Sequence, residues 1–350
     1  MQLCITSFIS YKNKRVLQKV FLFCRHIGTY SKILDIIEKT EFKSDYLKKL
    51  QNNLVINNKA THGISKLYSL NEFFQVQHNS YVHIILQGLV MYDIQCIRML
   101  EKWKQTYGES IFEWFHVIGD IEALLSLSMI GLDRNVTYPV LREDNELLFK
   151  GEEMIHPLIA SEKAVANSIQ LRRETGIITG SNMSGKTTFL RTLGINVVLT
   201  YAGAPVLAKS LELSKMKLFT SMRVTDDVSK GISTFYAEVK RIKEMAEFSK
   251  KKLPMLILID EIFRGTNSAD RIIGAKEVIR KLNKSYTILL VSTHDFELCE
   301  LVEERNVNGQ NYHFREYYQE DKLCFDYKIR SGKCQTTNAK YILRMAGLVE

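Results

Sequence analysis

The sequence predicts an α/β fold with a mainly parallel sheet in its second part, preceded by an all-helical first part. Two observations lead to this prediction. All four prolines lie at residue 139 or later, and the proline-free stretch before them holds long segments with helical spacing of apolar residues. From Ser181 onward, short aliphatic runs alternate with helical patterns, which is typical of a parallel sheet covered by helices. We therefore predict two regions, residues 1–150 and 151–350, that meet near residues 139–152.

The composition is that of a soluble globular protein. Apolar residues make up 45% of the 350 residues and charged residues 25%, which argues against disorder, collagen and coiled-coil rods. The six cysteines form no Cys-x-x-Cys pair, so a disulfide framework or a zinc site is not indicated and a reducing compartment fits better. The apolar run Val20–Cys24 ends at Arg25 and is too short for a signal-peptide core or a membrane span. We expect a cytoplasmic protein with no membrane partner.

The first region is predicted to be helical throughout. Leu34 and Ile37 lead on to Leu47 and Leu50 at helical spacing. The segment Ile84–Leu100 is rich in Leu, Ile and Met and contains no turn cluster, and residues 120–129 again follow a helical pattern. These patterns favour packed helices and give no sign of a strand before residue 139.

Positive charge is concentrated at the start of the chain. Residues 1–60 hold eleven Lys or Arg against four acidic residues, whereas residues 61–150 hold seven against eleven. A basic helical arm, including Lys12, Lys14, Arg15 and Lys19, could follow the phosphate backbone of a nucleic acid. A solvated helix face explains the same charges, and both interpretations stay open.

The second region is predicted to alternate between strands and helices. The predicted strands are 147–150, 168–171, 176–179, 217–222, 255–259 and 287–292, and the predicted helices are 188–200, 234–250 and 269–282. The run of aliphatic residues at 256–259 is typical of a central strand that is buried on both faces.

A loop between the third of these strands and the first of these helices predicts a phosphate site. Its residues fit G-x-x-x-x-G-K-[ST] and are Gly180, Ser181, Asn182, Met183, Ser184, Gly185, Lys186 and Thr187, followed by Thr188. Glycines let backbone N–H groups turn towards phosphate oxygens, and the start of the helix adds positive potential. We expect Lys186 to contact the β- and γ-phosphates of ATP and the Thr187 hydroxyl to bind Mg²⁺. The competing interpretation is an ordinary glycine turn.

Two acids end the buried strand at 256–259. Asp260 is positioned to hold Mg²⁺, and Glu261 to act as the general base that polarises the attacking water. Two solvated acids at a strand end are the alternative interpretation. After the next strand, His294 is predicted to contact the γ-phosphate, although a lone histidine is often a surface or capping residue.

Several segments in a fixed order resemble the MutS family. They are the loop GSNMSGKTT at 180–188, the strand LILIDEIFRGTNSAD at 256–270, the signature-like GISTFYAEV at 231–239, STHDFEL at 292–298, His156-Pro157-Leu158 and Thr225-Asp226-Asp227. Residues 118–132 also resemble the helix that leads from the MutS lever into its ATPase domain. With this helix, the resemblance covers about residues 114–350.

The resemblance implies an ABC-type ATPase domain at 151–350, after a partial helical core and lever region at 1–150. It implies a homodimer with two composite sites, in which Ser233 of one subunit reaches the γ-phosphate held by the other. Physical reasoning supports Lys186, Thr187, Asp260 and Glu261 independently, whereas Ser233 rests on the resemblance alone. A Ser-Thr pair before a helical run also serves as a helix cap.

The sequence also departs from the family. The loop carries Ser181 where Pro is commoner, Ser184 where Gly or Ala is commoner, and Thr187 where Ser is commoner. Family members that recognise mismatches carry a Phe-x-Glu motif in an N-terminal domain, and residues 1–150 of this sequence contain none. Residues 336–350 look like the last ATPase helix, with no long dimerisation segment after them, and the sequence is consistent with a piece of a longer product or a trimmed relative.

The function implied is ATP hydrolysis coupled to clamp-like movement in DNA mismatch repair or DNA-structure processing, with DNA and downstream repair factors as partners. The main alternative is a wedge-less relative acting on branched DNA or stalled ribosomes. A non-hydrolysing DNA clamp and a transporter ATPase are further alternatives, and the S-T-F signature argues against the last.

Overall fold

The computed structural model describes residues 27–55, 59–74, 80–132, 135–143, 146–222, 234–263, 267–319 and 322–334. Contacts between residues divide the chain into two compact units, Met1–Ser126 and Leu127–Glu350. Several segments singled out in the sequence lie outside the described residues: Lys12 to Lys19, Thr225-Asp226-Asp227, Ser233 and residues 336–350.

The first unit is helical in its described residues, as predicted. Its helices are α1 at residues 27–39, α2 Asp45–Asn53, α3 Ala60–Phe74, α4 Ser80–Val90, α5 Tyr92–Tyr107 and α6 Ile111–Ser128. The core between them contains Leu34, Ile64, Trp114 and Val117, all less than 3% exposed. Trp103 Nε1 donates a hydrogen bond of 2.7 Å to the carbonyl oxygen of Gly63, so the one polar atom of that buried indole is satisfied.

One helix in the described part of the chain, Ile111–Gly131, is long and apolar enough to cross a membrane by length and composition alone. Its residues Trp114, Ile118 and Ile121 are buried in the core of the first unit. A single helix that meets these two criteria is weak evidence, so the helix carries no membrane assignment.

The second unit is a mixed α/β structure. Its helices are α7 Lys186–Tyr201, α8 Thr234–Ser249 and α9 Ser268–Leu282. Its strands are β1 Val140–Arg142, β2 Leu148–Met154, β3 Asn167–Arg172, β4 Thr175–Thr179, β5 Ser210–Ser214, β6 Lys217–Ser221, β7 Met255–Asp260, β8 Thr287–Ser292, β9 Gly309–His313, β10 Glu316–Gln319, β11 Lys322–Phe325 and β12 Arg330–Ser331.

A six-stranded sheet in the order β12-β9-β4-β8-β7-β6 forms the centre of this unit. The pairs β9-β4, β4-β8, β8-β7 and β7-β6 are all parallel, and only the edge strand β12 runs antiparallel to its neighbour. Strands β4 and β8 are buried along their whole length, which explains their unbroken apolar and β-branched sequences. Apolar side chains of α7 lie in the core cluster that contains Leu256 and Leu290, and those of α8 and α9 in the cluster that contains Ile257 and Leu289.

The parallel arrangement brings the carboxyl ends of β4, β7 and β8 to one edge of the sheet. The register pairs Ile178 with Ser292 and Asp260 with Ser292. The loop after β4, the acids that end β7 and the histidine turn after β8 therefore meet at that edge.

A second, four-stranded sheet has the order β1-β5-β2-β3. Strand β5 pairs parallel with β1 and antiparallel with β2, and the sequence analysis did not predict it. Because β1 and β2 belong to this sheet, Val140–Arg142 and Leu148–Met154 are part of the second unit and not of the helical region. The observed division after Ser126 therefore lies upstream of the predicted boundary at 150/151.

The mixed α/β character of the second region is confirmed. The predicted strands and helices between residues 168 and 292 match β3, β4, α7, β6, α8, β7, α9 and β8 to within a few residues at each end. Strands β9 to β12 follow the last predicted strand and were not predicted. They matter for the site because the β10-β11 hairpin contributes side chains to it.

Candidate active site

The loop at residues 180–187, here called the GKT loop, connects β4 to α7 with a backbone that only glycine adopts easily. Gly180 has φ +148° and Gly185 has φ +112°. A Cβ added to Gly180 would lie 2.8 Å from both the carbonyl oxygen of Phe314 and the Ser184 hydroxyl oxygen. A side chain at Gly180 would therefore clash as well as strain the backbone, and both glycines are needed for the shape of the loop.

The start of α7 is open to an anion. Gly185 precedes the helix and no side chain caps it, so its first N–H groups, which have no partner inside a helix, face the loop. Ser184 Oγ is buried and has no hydrogen-bond partner among the described residues. Both observations fit a loop that accepts a ligand rich in acceptor oxygens.

Lys186 is held beneath the loop and is only 4% exposed. Its Nζ donates hydrogen bonds of 2.8 and 2.9 Å to the carbonyl oxygens of Gly180 and Ser181. Burial lowers the pKa of Lys186 to about 8, and the nearby carboxylates of Glu261, Asp260 and Glu316 oppose that shift. A phosphate group would supply the compact negative charge that the buried ammonium lacks in this state.

Asp260, Thr187 and Ser292 form a hydrogen-bonded group at the end of β7. Thr187 Oγ1 donates to Asp260, with distances of 3.1 Å to Oδ1 and 2.8 Å to Oδ2, and Ser292 Oγ donates to Oδ1 at 2.5 Å. A carboxylate beside a hydroxyl is a donor set that Mg²⁺ accepts. The sequence predicted this pairing of Thr187 with Asp260.

Glu261 and His294 face each other across the ends of β7 and β8. His294 Nε2 lies 3.0 Å from Glu261 Oε1 and 3.4 Å from Lys186 Nζ, so the imidazole bridges the other two side chains. Glu261 sits in the left-handed region with φ +53°, and its N–H donates to both oxygen atoms of Ser292, each at 3.1 Å. This backbone position turns the Glu261 side chain away from the direction of the strand and towards the histidine.

The turn that carries His294 is fixed on both sides. Thr293 N donates to the carbonyl oxygen of Ile178 at 3.0 Å. Arg271 of α9 makes two hydrogen bonds to the Asp295 carboxylate, 2.8 Å from Nε and 2.7 Å from the terminal nitrogen, both partly buried. A bidentate pair of this kind sets orientation as well as energy, so α9 helps to place His294.

The GKT loop is also tied to the β10-β11 hairpin. The Ser181 hydroxyl donates a short hydrogen bond to the carboxylate of Glu316, which is 7% exposed. Ser181 stands where proline is commoner in the family that the sequence resembles, and proline could not form this bond. Glu316 is distant from the loop in sequence, and no local signal marked it.

A cavity of about 530 Å³ opens beside the GKT loop. It is lined by residues that include His156, Gly185, Thr188, Phe189, Phe325 and Tyr327. Burial, and secondarily Arg191, lowers the pKa of His156. The cavity has the volume and the aromatic lining of a small-molecule site.

The structure brings most of the predicted site residues together. Lys186, Thr187, Asp260, Glu261 and His294 are linked by the contacts above. The remaining loop residues Gly180 to Gly185 and Thr188 surround them, with Asn182 and Met183 exposed. Ser233 lies outside the described residues, so its predicted role stays a prediction.

Four residues at or behind the site were not assigned a role from the sequence: Ser292, Glu316, Arg271 and Glu238. Ser292 ends a predicted strand directly before the Thr-His turn, and that position was a usable signal. The other three reach the site from separate elements of the fold, which a pattern along the chain does not show.

Comparison with protein families gives one decisive match. The family model described as MutS domain V matches residues 176–350, half of the chain, and this range contains the GKT loop, Asp260, Glu261 and His294. The chain belongs to the MutS family. The resemblance stated from the six sequence segments is thereby confirmed.

Individual MutS relatives align with most of the chain. A DNA mismatch repair protein MutS of Aquifex pyrophilus is 30% identical over 241 residues, which cover 67% of this chain and 28% of the relative. One of Caldicellulosiruptor saccharolyticus is 30% identical over 274 residues, covering 75% and 31%. A DNA mismatch repair protein MutS 2 of Halobacterium salinarum is 29% identical over 236 residues, covering 66% and 27%. The chain thus spans less than a third of the length of each of these MutS proteins.

Proposed function

We propose that this chain is a Mg²⁺-dependent ATPase of the ABC type that works as a MutS protein, coupling ATP hydrolysis to clamp-like movement on DNA. The observation that carries the proposal is the continuous contact from Lys186 through His294 to Glu261, beside the Thr187–Asp260 pair. These are the groups that phosphoryl transfer to water requires, gathered at one edge of a parallel sheet.

The GKT loop binds the phosphates in this proposal. Lys186 exchanges its two backbone carbonyl partners for β- and γ-phosphate oxygens, and the open N–H groups at the start of α7 complete the contacts. The adjoining cavity accommodates adenine and ribose, with Phe189 and Tyr327 as apolar walls.

Thr187 and Asp260 would hold Mg²⁺. When bound there, Mg²⁺ would neutralise charge on the phosphates and stabilise the leaving group. Thr187 Oγ1 donates a hydrogen bond of 2.8 Å to Asp260 Oδ2, and the same hydroxyl oxygen would be available as a ligand of the metal. Ser292 keeps the carboxylate in place through its short hydrogen bond to Oδ1.

Glu261 acts as the general base. Its carboxylate accepts a proton from the attacking water, and its left-handed backbone points it into the site. His294, 3.0 Å away, orients the carboxylate and contacts the transferred phosphoryl group. Loss of that group removes a partner of His294 and Lys186 together, which gives the site a way to report its nucleotide state.

Two copies of the chain form composite sites through these domains. Ser233 precedes α8 and resembles the family's signature serine, so we assign it to the nucleotide of the other subunit. Alternation between closed and open dimers then follows ATP binding and hydrolysis. DNA is the proposed substrate, repair factors the downstream partners, and the cytoplasm the location.

Phosphate release tests the enzymatic part of this proposal. We expect the purified chain to hydrolyse ATP with Mg²⁺ and to stop when EDTA is added. Asp260→Asn should raise the half-saturating Mg²⁺ concentration by about tenfold, the cost of one weakened charged contact. Asp120→Asn, an exposed aspartate in the first unit, is the control. No turnover by the wild type, or equal Mg²⁺ dependence in both variants, would contradict the assignment.

DNA binding tests the other part. Matched, mismatched and branched duplexes are titrated with and without ATP over a salt series, and we expect binding to respond to nucleotide. Neutralising Lys12, Lys14, Arg15 and Lys19 together should lower the salt slope if the basic arm contacts phosphates. Preference for branched over mismatched DNA would favour the wedge-less type of MutS-like protein. Equal weak binding to all three, whatever the nucleotide, would remove the DNA function and leave the ATPase.

A further inference from the structure

Glu238 is a buried carboxyl group in the second turn of α8. It is 7% exposed, and burial raises its pKa, opposed by a hydrogen bond from Phe263 and by Arg241. Burying a carboxyl group costs several kcal/mol unless it is paired, and an apolar side chain would fill the same space without that cost. The hydrogen-bond partner of such a buried carboxyl group therefore indicates what the group does.

The contact that Glu238 makes is to the backbone just beyond the general base. Phe263 N–H donates a hydrogen bond of 2.9 Å to Glu238 Oε1. Residues 261–263, here called the Glu261 turn, contain two non-glycine residues in the left-handed region, Glu261 at φ +53° and Phe263 at φ +58°. Each costs about 1 kcal/mol or more and persists only where the surroundings impose it.

Contacts on two sides hold the Glu261 turn in this left-handed conformation. On one side the Glu261 N–H is bound by Ser292 of β8. On the other, α8 supplies Glu238 and also Phe235, whose ring centroid lies 5.4 Å from that of Phe263. A Cβ on Gly274 of α9 would come within 3.0 Å of the Phe263 ring, so this ring has little freedom to move.

We propose that Glu238 is a positioning residue that fixes the Glu261 turn to α8, so that α8 controls the placement of the general base. The helix begins at Thr234, directly after Ser233. This inference rests on the proposed function, in which Ser233 reaches the nucleotide held by the other subunit. The hydrogen bond between Glu238 and Phe263 then links each signature segment to Glu261 of its own subunit. Nucleotide at one composite site then influences hydrolysis at the other through Glu238 and Phe263.

The first arm of the test needs no turnover. Hydrogen exchange of the Phe263 amide is measured in wild type, Glu238→Leu, Glu238→Gln and the control Glu244→Leu, an exposed glutamate of the same helix. We expect exchange at least about tenfold faster in Glu238→Leu, because the Phe263 amide loses its buried acceptor. Glu238→Gln keeps an acceptor oxygen and should protect the amide. Equal exchange in Glu238→Leu and wild type would overturn the proposal.

The second arm separates positioning from structure. Glu238→Leu should lower kcat about 10- to 100-fold, the effect expected when a catalytic group is misplaced by about 1 Å, with KM for ATP changed less than about threefold. Glu238→Gln should restore kcat to within about threefold of wild type. If Glu238→Leu does not fold, Glu238→Asp withdraws the carboxyl by one methylene and should give an intermediate kcat.

Wild-type kcat in Glu238→Leu or Glu238→Asp would overturn the positioning role. A parallel loss of nucleotide binding and thermal stability in Glu238→Leu, not rescued by Glu238→Gln, would show a structural role only and also overturn it. Absence of ATP turnover in the wild type would refute the proposed function instead, and the exchange arm would still decide whether Glu238 holds the turn.

Discussion

ATP binding by this chain should weaken as the pH rises above about 8, because burial makes the charged form of Lys186 less stable. Burial lowers the pKa of Lys186 to about 8 in the free protein. Bound phosphates favour the charged ammonium, so the pKa rises in the complex. Above pH 8 the free protein must therefore take up a proton when it binds ATP, and every further pH unit makes that uptake less favourable.

The size of the effect follows from the pKa of the free protein. With a pKa of about 8, about nine in ten molecules carry a charged Lys186 at pH 7 and about one in ten at pH 9, so Kd for ATP rises about tenfold between them. With the ordinary lysine pKa of about 10.4, almost all molecules would stay charged and Kd would hardly change. The carboxylates of Asp260, Glu261 and Glu316 limit how far the pKa can fall, and His294 lies 3.4 Å from the ammonium.

Isothermal titration calorimetry measures both consequences. Kd for ATP is determined between pH 7 and 9.5, and proton uptake is obtained by repeating the titration in buffers of different ionisation enthalpy. Lys186→Arg is the control, because a guanidinium stays charged over this range and its Kd should be weaker but flat. A flat wild-type profile with no proton uptake would refute the account of Lys186 as a desolvated ammonium.

Two further predictions concern Ser292 and Gly63, whose contacts are visible only in the structure. Ser292→Ala removes the 2.5 Å hydrogen bond to Asp260 and should lower kcat about tenfold or more and raise the Mg²⁺ requirement, whereas the exposed Ser285→Ala should match wild type. Unchanged Mg²⁺ dependence in Ser292→Ala would contradict its role. Gly63→Ala should destabilise the first unit by about 1–3 kcal/mol in urea unfolding followed by tryptophan fluorescence, because its Cβ would come within 2.5 Å of Trp114. Gly119→Ala, with no atom within 4 Å of its Cβ, should be neutral or stabilising, and equal midpoints for the two variants would show that the packing argument fails.

In the second unit, the sequence predicts those strands and helices that have a distinctive local pattern of apolar residues. The strands β4, β7 and β8 are almost entirely buried and contain short aliphatic runs, so their positions follow from the sequence. Their parallel pairing follows from the alternation of strands with helices. Strand β5 alternates between buried and half-buried positions over only five residues, and no strong pattern marks it. Its pairing with β1 and β2 is a long-range contact that no pattern along the chain shows.

The residues of the candidate site also fall into two groups, those that a sequence motif marks and those that only the packing of the fold brings to the site. Lys186, Thr187, Asp260 and Glu261 lie in motifs whose residue types and spacing are typical of phosphate and Mg²⁺ sites, so the sequence alone predicts them as site residues. Arg271, Glu316 and Glu238 act through another residue and reach it from α9, the β10-β11 hairpin and α8. Their contacts depend on how those elements pack, which no spacing along the chain encodes.

A single-turnover experiment on Glu261 tests the central claim most directly. Wild type, Glu261→Gln and the exposed control Glu297→Gln are mixed with substoichiometric labelled ATP and Mg²⁺, quenched over time and analysed for ADP. We expect Glu261→Gln to bind ATP with a Kd within about threefold of wild type and to convert it at least about 100-fold more slowly, the typical contribution of a general base. Glu297→Gln should convert ATP at the wild-type rate. Conversion by Glu261→Gln at the wild-type rate would contradict the mechanism.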